Sequence, residues 1–475
     1  NLFIPNTLNN LTITGASIST TIFDGSPGSG VFLFMTISGS NVIVENITIQ
    51  QYNNAGAIDV VSGSVIDSTF VQFNWCYFYQ NETFSSFDAT PHGGAVIIQT
   101  LGGNTPSSVS FYDCQFADNL AEQGNGGGAV AVEDRSRLYM KRCRLTCNNS
   151  RAVLTTFEGG TVLFDDGYGT LDECFISGSS VFDQQGGAVR GINGTNRFVI
   201  NIANSIFTDN SARQGAAIYM EDNIDCNIIN TLVHGNTVTG GFGNGGSIST
   251  AGAVNMYIVN STIADNLSTH SSDGGGLADD GSSSYNIFNT IIWNNQISNV
   301  RNASINATYS CIEPVNDNHS GVLGNITGNP LFTNTTDFTL QVGSPCIDAG
   351  NLTGAPITDL TIFTRSGNPD MGAFELGSAF PVTDLNCELF LECTPPAILP
   401  LSIVSTSICE GEIAIITIDN SEVGINYQLV DFSTSTAIGP PVIGSGGTIS
   451  LPSGTLTQDI TFTVAAYDPT SPTCT

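Results

Sequence analysis

Two columns of residues recur along most of this chain, and their recurrence limits the fold more than any other property. The first column runs small residue, apolar residue two places on, asparagine three places further. Its copies are Cys76-Phe78-Asn81, Cys114-Phe116-Asn119, Cys143-Leu145-Asn148 and Cys174-Ile176-Ser179, then Ser205-Phe207-Asn210, Thr231-Val233-Asn236, Ser261-Ile263-Asn266 and Thr290-Ile292-Asn295. The second is a glycine pair opening a strand: Gly93-Gly94, Gly127-Gly128, Gly159-Gly160 and Gly186-Gly187, with looser copies at Gly215, Gly245-Gly246 and Gly275-Gly276. Successive copies lie 26 to 38 residues apart. A period of that length is the signature of a solenoid.

The chemistry of the columns selects the kind of solenoid. With 52 glycines, and strands such as Phe198–Ile202 alternating with period two, helical repeats are excluded. A leucine-rich repeat would place leucines where this chain has Ile, Phe, Val and small residues. An all-β fold remains: a right-handed parallel β-helix with two or three short strands per coil. Cys114 and Phe116 are two apart and so share a face, the interior one. Stacked coils put Cys114, Cys143 and Cys174 in one ladder of buried free thiols. Asparagine at the bend tolerates the left-handed conformation and can bond from coil to coil. The glycine pair turns the chain where a Cβ would clash. Both columns are therefore expected to be scaffold. Spacing varies most between the Asn and glycine columns, so variable loops gather at one corner.

Composition narrows the partners. The formal net charge is −31 with only 11 basic residues, which argues against nucleic acid and against an anionic membrane surface. No apolar stretch is long enough to span a bilayer. The twelve cysteines have no zinc spacing. Residues 1–308 read as coils, 309–376 as a terminal segment of different pattern, 377–396 as a Pro-containing linker, and 397–475 as a small β-sandwich. Within the last region the alternating runs are Ile413–Ile418, Asn426–Val430, Thr448–Leu451 and Ile460–Tyr467. Candidate disulfide cysteines are Cys409 with Cys474, Cys387 with Cys393, and Cys311 and Cys346. The chain is expected to start after processing and to belong to a longer protein.

The Phe-x-x-Asn and Gly-Gly-Ala motifs resemble those of polymorphic outer-membrane and right-handed β-helix surface proteins of bacteria. Gly328-Asn-Pro-Leu-Phe332, Asp337-Phe-Thr-Leu340, Gly343-Ser-Pro-Cys-Ile-Asp-Ala-Gly-Asn351 and Pro369-Asp-Met-Gly-Ala-Phe-Glu375 resemble the terminal segment of choice-of-anchor β-helix proteins. Ser407–Glu412, Val423–Leu429 and Gly446–Pro452 resemble immunoglobulin-like modules of large secreted Bacteroidetes proteins. The resemblance implies a secreted, cell-surface protein exported by a type IX route and anchored through further C-terminal sequence. It implies no single activity.

Parallel β-helices host pectate lyases and polygalacturonases, so catalytic residues need a search. Asp165-Asp166 and Asp279-Asp280 are paired, but the one suitable histidine, His234 in Val233-His234-Gly235-Asn236, lies between them, and no Arg-x-Lys follows. Paired carboxyls adjacent in sequence do not supply the separation that acid–base chemistry requires. No catalytic set is assigned; the Asp pairs are instead candidate Ca²⁺ ligands, the one cofactor considered. Six of the eleven basic residues, Arg135, Arg137, Lys141, Arg142, Arg144 and Arg151, fall within seventeen positions. They are candidates for binding an anionic glycan by bidentate contacts, or else pair with Glu133, Asp134, Asp165, Asp166 and Asp172. Trp75, Tyr77 and Tyr79, placed outward on one strand, are candidates for a sugar platform. Thirteen Asn-x-Ser/Thr sequons occur, several inside the Asn column. The expectation is a non-catalytic extracellular adhesin or stalk that binds polysaccharide or a host or neighbouring cell surface. Its rivals are a polysaccharide lyase or hydrolase and a structural segment of a surface filament.

Overall fold

The computed structural model describes residues 2–380 except 6, 8–9, 26–34, 39–40, 53–55, 63–67, 85–91, 101–104, 123–125, 152–158, 182–184, 193, 195, 241–244 and 315–322. Beyond these it describes 401–403, 413–423, 425–431, 436–456 and 462–467. The variable corner between the Asn and glycine columns thus lies largely outside the described residues, as do Cys387, Cys393, Cys409 and Cys474. Two compact units are present, 1–387 and 388–475.

The first unit is a parallel β-solenoid. Each coil gives one strand to each of three long sheets, as Gly126–Glu133, Arg137–Lys141 and Arg144–Thr146 do. Sheet 1 runs from Leu2–Ile4 to Val300–Arg301, sheet 2 from Leu11–Thr14 to Ile305–Thr308, and sheet 3 from Ile22–Asp24 to Cys311–Ile312. Sheets 2 and 3 contain eleven strands each, so the coils begin at the first described residues. A fourth side is built only in part, by Glu82–Phe84, Leu120–Glu122 and Asn149–Arg151, and further on by Ser211–Ala212, Thr237–Val238 and Leu267–Ser268. The described residues contain no helix.

Period-two alternation fills the interior. Phe73 stacks on Phe111 with centroids 4.9 Å apart, and Phe78 on Phe116 at 4.5 Å. Cys76, Cys114, Cys143 and Cys174 are buried free thiols in the ladder that the sequence places there. Like residues stack because adjacent coils share one register, which lets flat rings and small thiols repeat without voids.

The Asn column is a buried hydrogen-bond ladder. Asn119 Nδ2 donates to Asn148 Oδ1 at 2.8 Å, and Asn210, Asn236 and Asn266 continue the series at 2.9, 3.0 and 2.8 Å. Each amide also reaches a main-chain carbonyl of the preceding coil, as Asn236 Nδ2 does to Phe207 O at 3.0 Å. The left-handed residue is not this asparagine but the one before it, Gln80, Asp118, Cys147, Asp209, Asp265 or Asn294. A second left-handed corner precedes the small residue, at Trp75, Asp113, Arg142, Glu173 and Asn204 among others. The ladder asparagine must aim its amide inward to stack, so the turn falls on its neighbour. The glycine pairs answer to close approach: at Gly127 a Cβ would overlap the Val130 carbonyl, and at Gly187 that of Ala216 on the next coil.

Residues 323–380 return over the outward face of sheet 3. Phe338, Leu360, Ala373 and Phe374 cluster with Ile206, Leu232 and Ala264, which flank the inward Phe207, Val233 and Ile263. Asn289 exchanges hydrogen bonds with the Asn351 main chain at 2.8 and 2.9 Å, and Ala373 N donates to Thr262 Oγ1 at 3.0 Å. Buried Arg365 pairs with Glu375 and reaches Asn230 Oδ1 at 3.1 Å. On the outward face of sheet 2, Arg137 and Tyr257 remain exposed.

The second unit holds two three-stranded antiparallel sheets. One joins Leu401–Ile403, Ile413–Ile418 and Ile449–Thr455; the other joins Thr436–Ile443, Asn426–Asp431 and Phe462–Tyr467. Ile416, Ile418, Tyr427, Leu429 and Leu451 form its core. Thr436–Ile443 has no counterpart among the expected strands because Pro440 and Pro441 interrupt its pattern; it is an edge strand, where proline is tolerated.

Candidate functional site

The strands Ser108–Tyr112, Arg137–Lys141, Tyr168–Asp172 and Phe198–Ala203 alternate inward and outward residues on sheet 2. Ser108, Arg137 and Tyr168 are in register along one outward row, and Ser110, Tyr139, Thr170 and Asn201 along the next. Between them lies an open cleft of about 340 Å³. The Arg137 guanidinium sits 5.8 Å from the centroid of the Tyr168 ring, and Tyr139 leans on Tyr112 at 5.6 Å. Tyr168 is backed by Phe198 at 6.1 Å, which fixes the ring from below. Asn227 Nδ2 holds Asn201 Oδ1 at 2.8 Å. Partial burial pushes the Tyr139 phenol upward, so it stays a neutral donor and acceptor. Aromatic faces, hydroxyls, an amide and one guanidinium on a rigid parallel sheet make a surface chemically matched to sugars.

The basic residues do not form one patch. Arg137 and Lys141 lie on sheet 2, Arg144 on sheet 3, and Arg135 and Arg142 at left-handed corners. Lys141 bonds Asp172 at 2.7 Å and Glu173 at 2.9 Å, and Arg142 grips Asp113 with contacts of 2.7 and 2.9 Å. Arg151 faces Glu122 at 3.7 Å. Of the acidic residues expected as partners Asp172 takes part, and Asp113, Glu122 and Glu173 join it. Arg144 lies 4.5 Å over the Phe175 ring. Among the described residues Arg137 and Arg135 enter no ion pair.

The aromatic trio divides as well. Tyr77 and Tyr79 face outward on one strand of sheet 3 with rings 5.5 Å apart and nearly parallel, but Trp75 sits at a left-handed corner before the strand, 54% exposed. Burial, then Tyr79, raises the Tyr77 phenol far above its ordinary value.

The aspartate pairs split across the sheet. Asp279 is buried, accepting from Thr250 Oγ1 at 2.9 Å and Ser283 N at 3.3 Å, while Asp280 is exposed. Asp165 ends a strand beside Glu133, and Asp166 forms the following corner. Asp279 and Asp280 alternate within one strand and point to opposite faces, so that pair does not act as one chelate. Among the described residues no three His, Cys, Asp or Glu converge as a metal site. His234 is packed 4.8 Å from the Phe338 ring, and burial pulls its imidazole down to about 4. It is neutral and covered, unsuited to proton transfer with a substrate. Cys311 and Cys346, expected as disulfide partners, are buried free thiols hydrogen-bonded to each other, with Cys311 Sγ also donating to Gly328 O at 3.2 Å. The sequon residues Asn81, Asn148, Asn260 and Asn266 are buried, closed to a modifying enzyme.

Glu133 is expected from the sequence only as an ion-pair partner of the basic run. It is 9% exposed, one of its carboxyl oxygens has no hydrogen-bond partner, and burial with Asp165, Asp134 and Asp59 nearby pushes it up to about 9. A signal existed: six residues after the glycine pair, Gln99, Glu133 and Asp165 close consecutive strands, a polar column among apolar ones.

Fold and cleft together define this chain as a parallel β-solenoid with a polar and aromatic cleft on one sheet face, followed by a small antiparallel two-sheet unit. Comparison with protein-family models, with curated proteins and with solved structures finds no match.

Proposed function

We propose that this chain is a non-catalytic carbohydrate-binding segment of a secreted cell-surface protein, acting as an adhesin or stalk. The observation that carries the reading is the sheet 2 cleft, where Tyr139 and Tyr168 stand beside Ser110, Thr170, Asn201 and Arg137. Sugars bind by stacking their apolar faces on rings while fixed polar groups take the hydroxyls, and a rigid ladder keeps those groups in place without an ordering cost. The terminal motifs around Gly343–Asn351 and Pro369–Glu375 favour an anchored bacterial surface protein of the choice-of-anchor type. A catalytic role is disfavoured because His234 is packed against Phe338 and, of the cross-strand carboxyls Glu133 and Asp165, the first is buried.

The test is retention of purified chain on a glycan array, with products assayed in parallel. Binding to a subset of glycans, lost in Tyr168→Ala without change in circular dichroism, is the expected result. Retention of no glycan would overturn the reading. New reducing or unsaturated ends from a bound polysaccharide would replace it with an enzyme.

A further inference from the structure

We infer that the sheet 2 cleft accepts a neutral, hydroxyl-rich glycan bearing at most one anionic sugar, seated on Arg137, and rejects polyanionic chains. The inference rests on the reading that this cleft binds glycans, and it names the class. Its basis is the placement of charge around the cleft. The six basic residues between 135 and 151 look in sequence like a polyanion site, yet ion pairing within the fold engages three of them, Lys141, Arg142 and Arg151, and only Arg137 lines the cleft. Lys141 is held by two carboxylates, Asp172 and Glu173, so that group carries a net charge of −1. Arg142 is matched by Asp113, and Arg197, two residues before the lining Val199, by Asp225 at 2.6 Å. Arg137 is the cationic residue that lines the cleft, and among the described residues it touches an aromatic ring rather than a carboxylate.

Geometry sets how much charge a ligand can bring. The cleft crosses four strands, hence three steps of ~4.8 Å, or about 14 Å along the solenoid. A polyuronate lying there would carry an anion on every sugar. One could pair with Arg137 by a bidentate contact. The others would meet the neutral Ser110, Thr170 and Asn201, with Asp172 two residues beyond Thr170 and Asp225 opposite Val199, on a protein whose net charge is −31. Charge far from zero repels like-charged chains before contact is made. A neutral chain meets no such barrier and keeps every ring and hydroxyl contact, while a single acid at the Arg137 position adds one charge-assisted bond.

The experiment uses the purified chain on an array holding neutral oligosaccharides, the same oligosaccharides ended by one sialic acid, polygalacturonate, and its highly methyl-esterified form. Neutral and singly charged glycans are expected to be retained with little dependence on salt. Esterified polymer is expected to bind at least about tenfold more tightly than polygalacturonate, and Arg137→Ala to erase the preference for a singly charged glycan over its neutral counterpart, about tenfold for one charge-assisted bond. Tighter binding of polygalacturonate, falling steeply with salt, would overturn the inference and leave glycan binding standing. Retention of nothing on the array would overturn both.

Discussion

Replacing Glu133 by glutamine isolates the cost of one buried acid. Glu133 and Asp165 are cross-strand neighbours in sheet 1, and Asp134 and Asp59 add negative charge around them. No cation among the described residues pairs with Glu133, so the fold holds it protonated up to about 9, against 4.5 in the unfolded chain. A raised pKa means that the folded state keeps a proton the unfolded state releases. The favourable contribution of that proton is complete below pH 4.5 and is lost progressively as pH rises toward 9. At pH 7 the gap from 4.5 is 2.5 units, which at 1.36 kcal/mol per unit amounts to about 3 kcal/mol of lost stability. Glu133→Gln has nearly the same shape and no proton to hold. It should match the parent near pH 4.5 and exceed it by about 3 kcal/mol at pH 7, with the difference still growing to pH 8. Paired denaturant titrations of parent and variant at several pH values, read by Trp293 and Trp75 fluorescence, cancel the contributions of all other groups. Parallel pH profiles for the two proteins, at any absolute offset, would refute the reasoning.

Asn236→Ala should destabilise the coils by ~3 kcal/mol or more, since it takes away the acceptor of the Asn210 main-chain and side-chain N–H groups and the donor to the Phe207 carbonyl and Asn266 Oδ1; thermal unfolding measures it, and a loss below 1 kcal/mol would show the ladder to be incidental. The thiols of Cys76, Cys114, Cys143, Cys174, Cys226, Cys311 and Cys346 should resist iodoacetamide in the native protein and react in denaturant, as mass spectrometry of the peptides would report. For Cys226, burial also pushes the thiol up to about 12, so brief alkaline exposure short of unfolding should not open it to reagent.

Much of the architecture could be read from single residues because a solenoid writes its geometry locally. One coil stacks on the next in constant register, so the inward positions of Phe78, Phe116 and Leu145 repeat in the sequence as they repeat in space. The asparagine ladder and the tight glycine approach follow from the same translation. Placement of the left-handed corner one residue before Asn81 or Asn119 was not readable, since φ is set by which way the amide must point. The cleft was half visible: Arg137 stood out by charge, but Tyr139, Tyr168 and Asn201 come from three coils and gain meaning only when stacked.

The sequence by itself therefore determined the all-β solenoid, its interior ladders and the absence of a sequence signature for chemistry, because those depend on period and side-chain type. Tertiary structure alone decided which surface is open and which charges are spent. Residues 323–380 fold back over sheet 3 and bury His234, an event with no local signal at that residue. Coil-to-coil ion pairs span about thirty residues, as from Arg142 to Asp113 or Lys141 to Asp172, so a run of cations in sequence is split among different partners in space. Charge acts through distance in the folded molecule, and that distance is written in register rather than in sequence order.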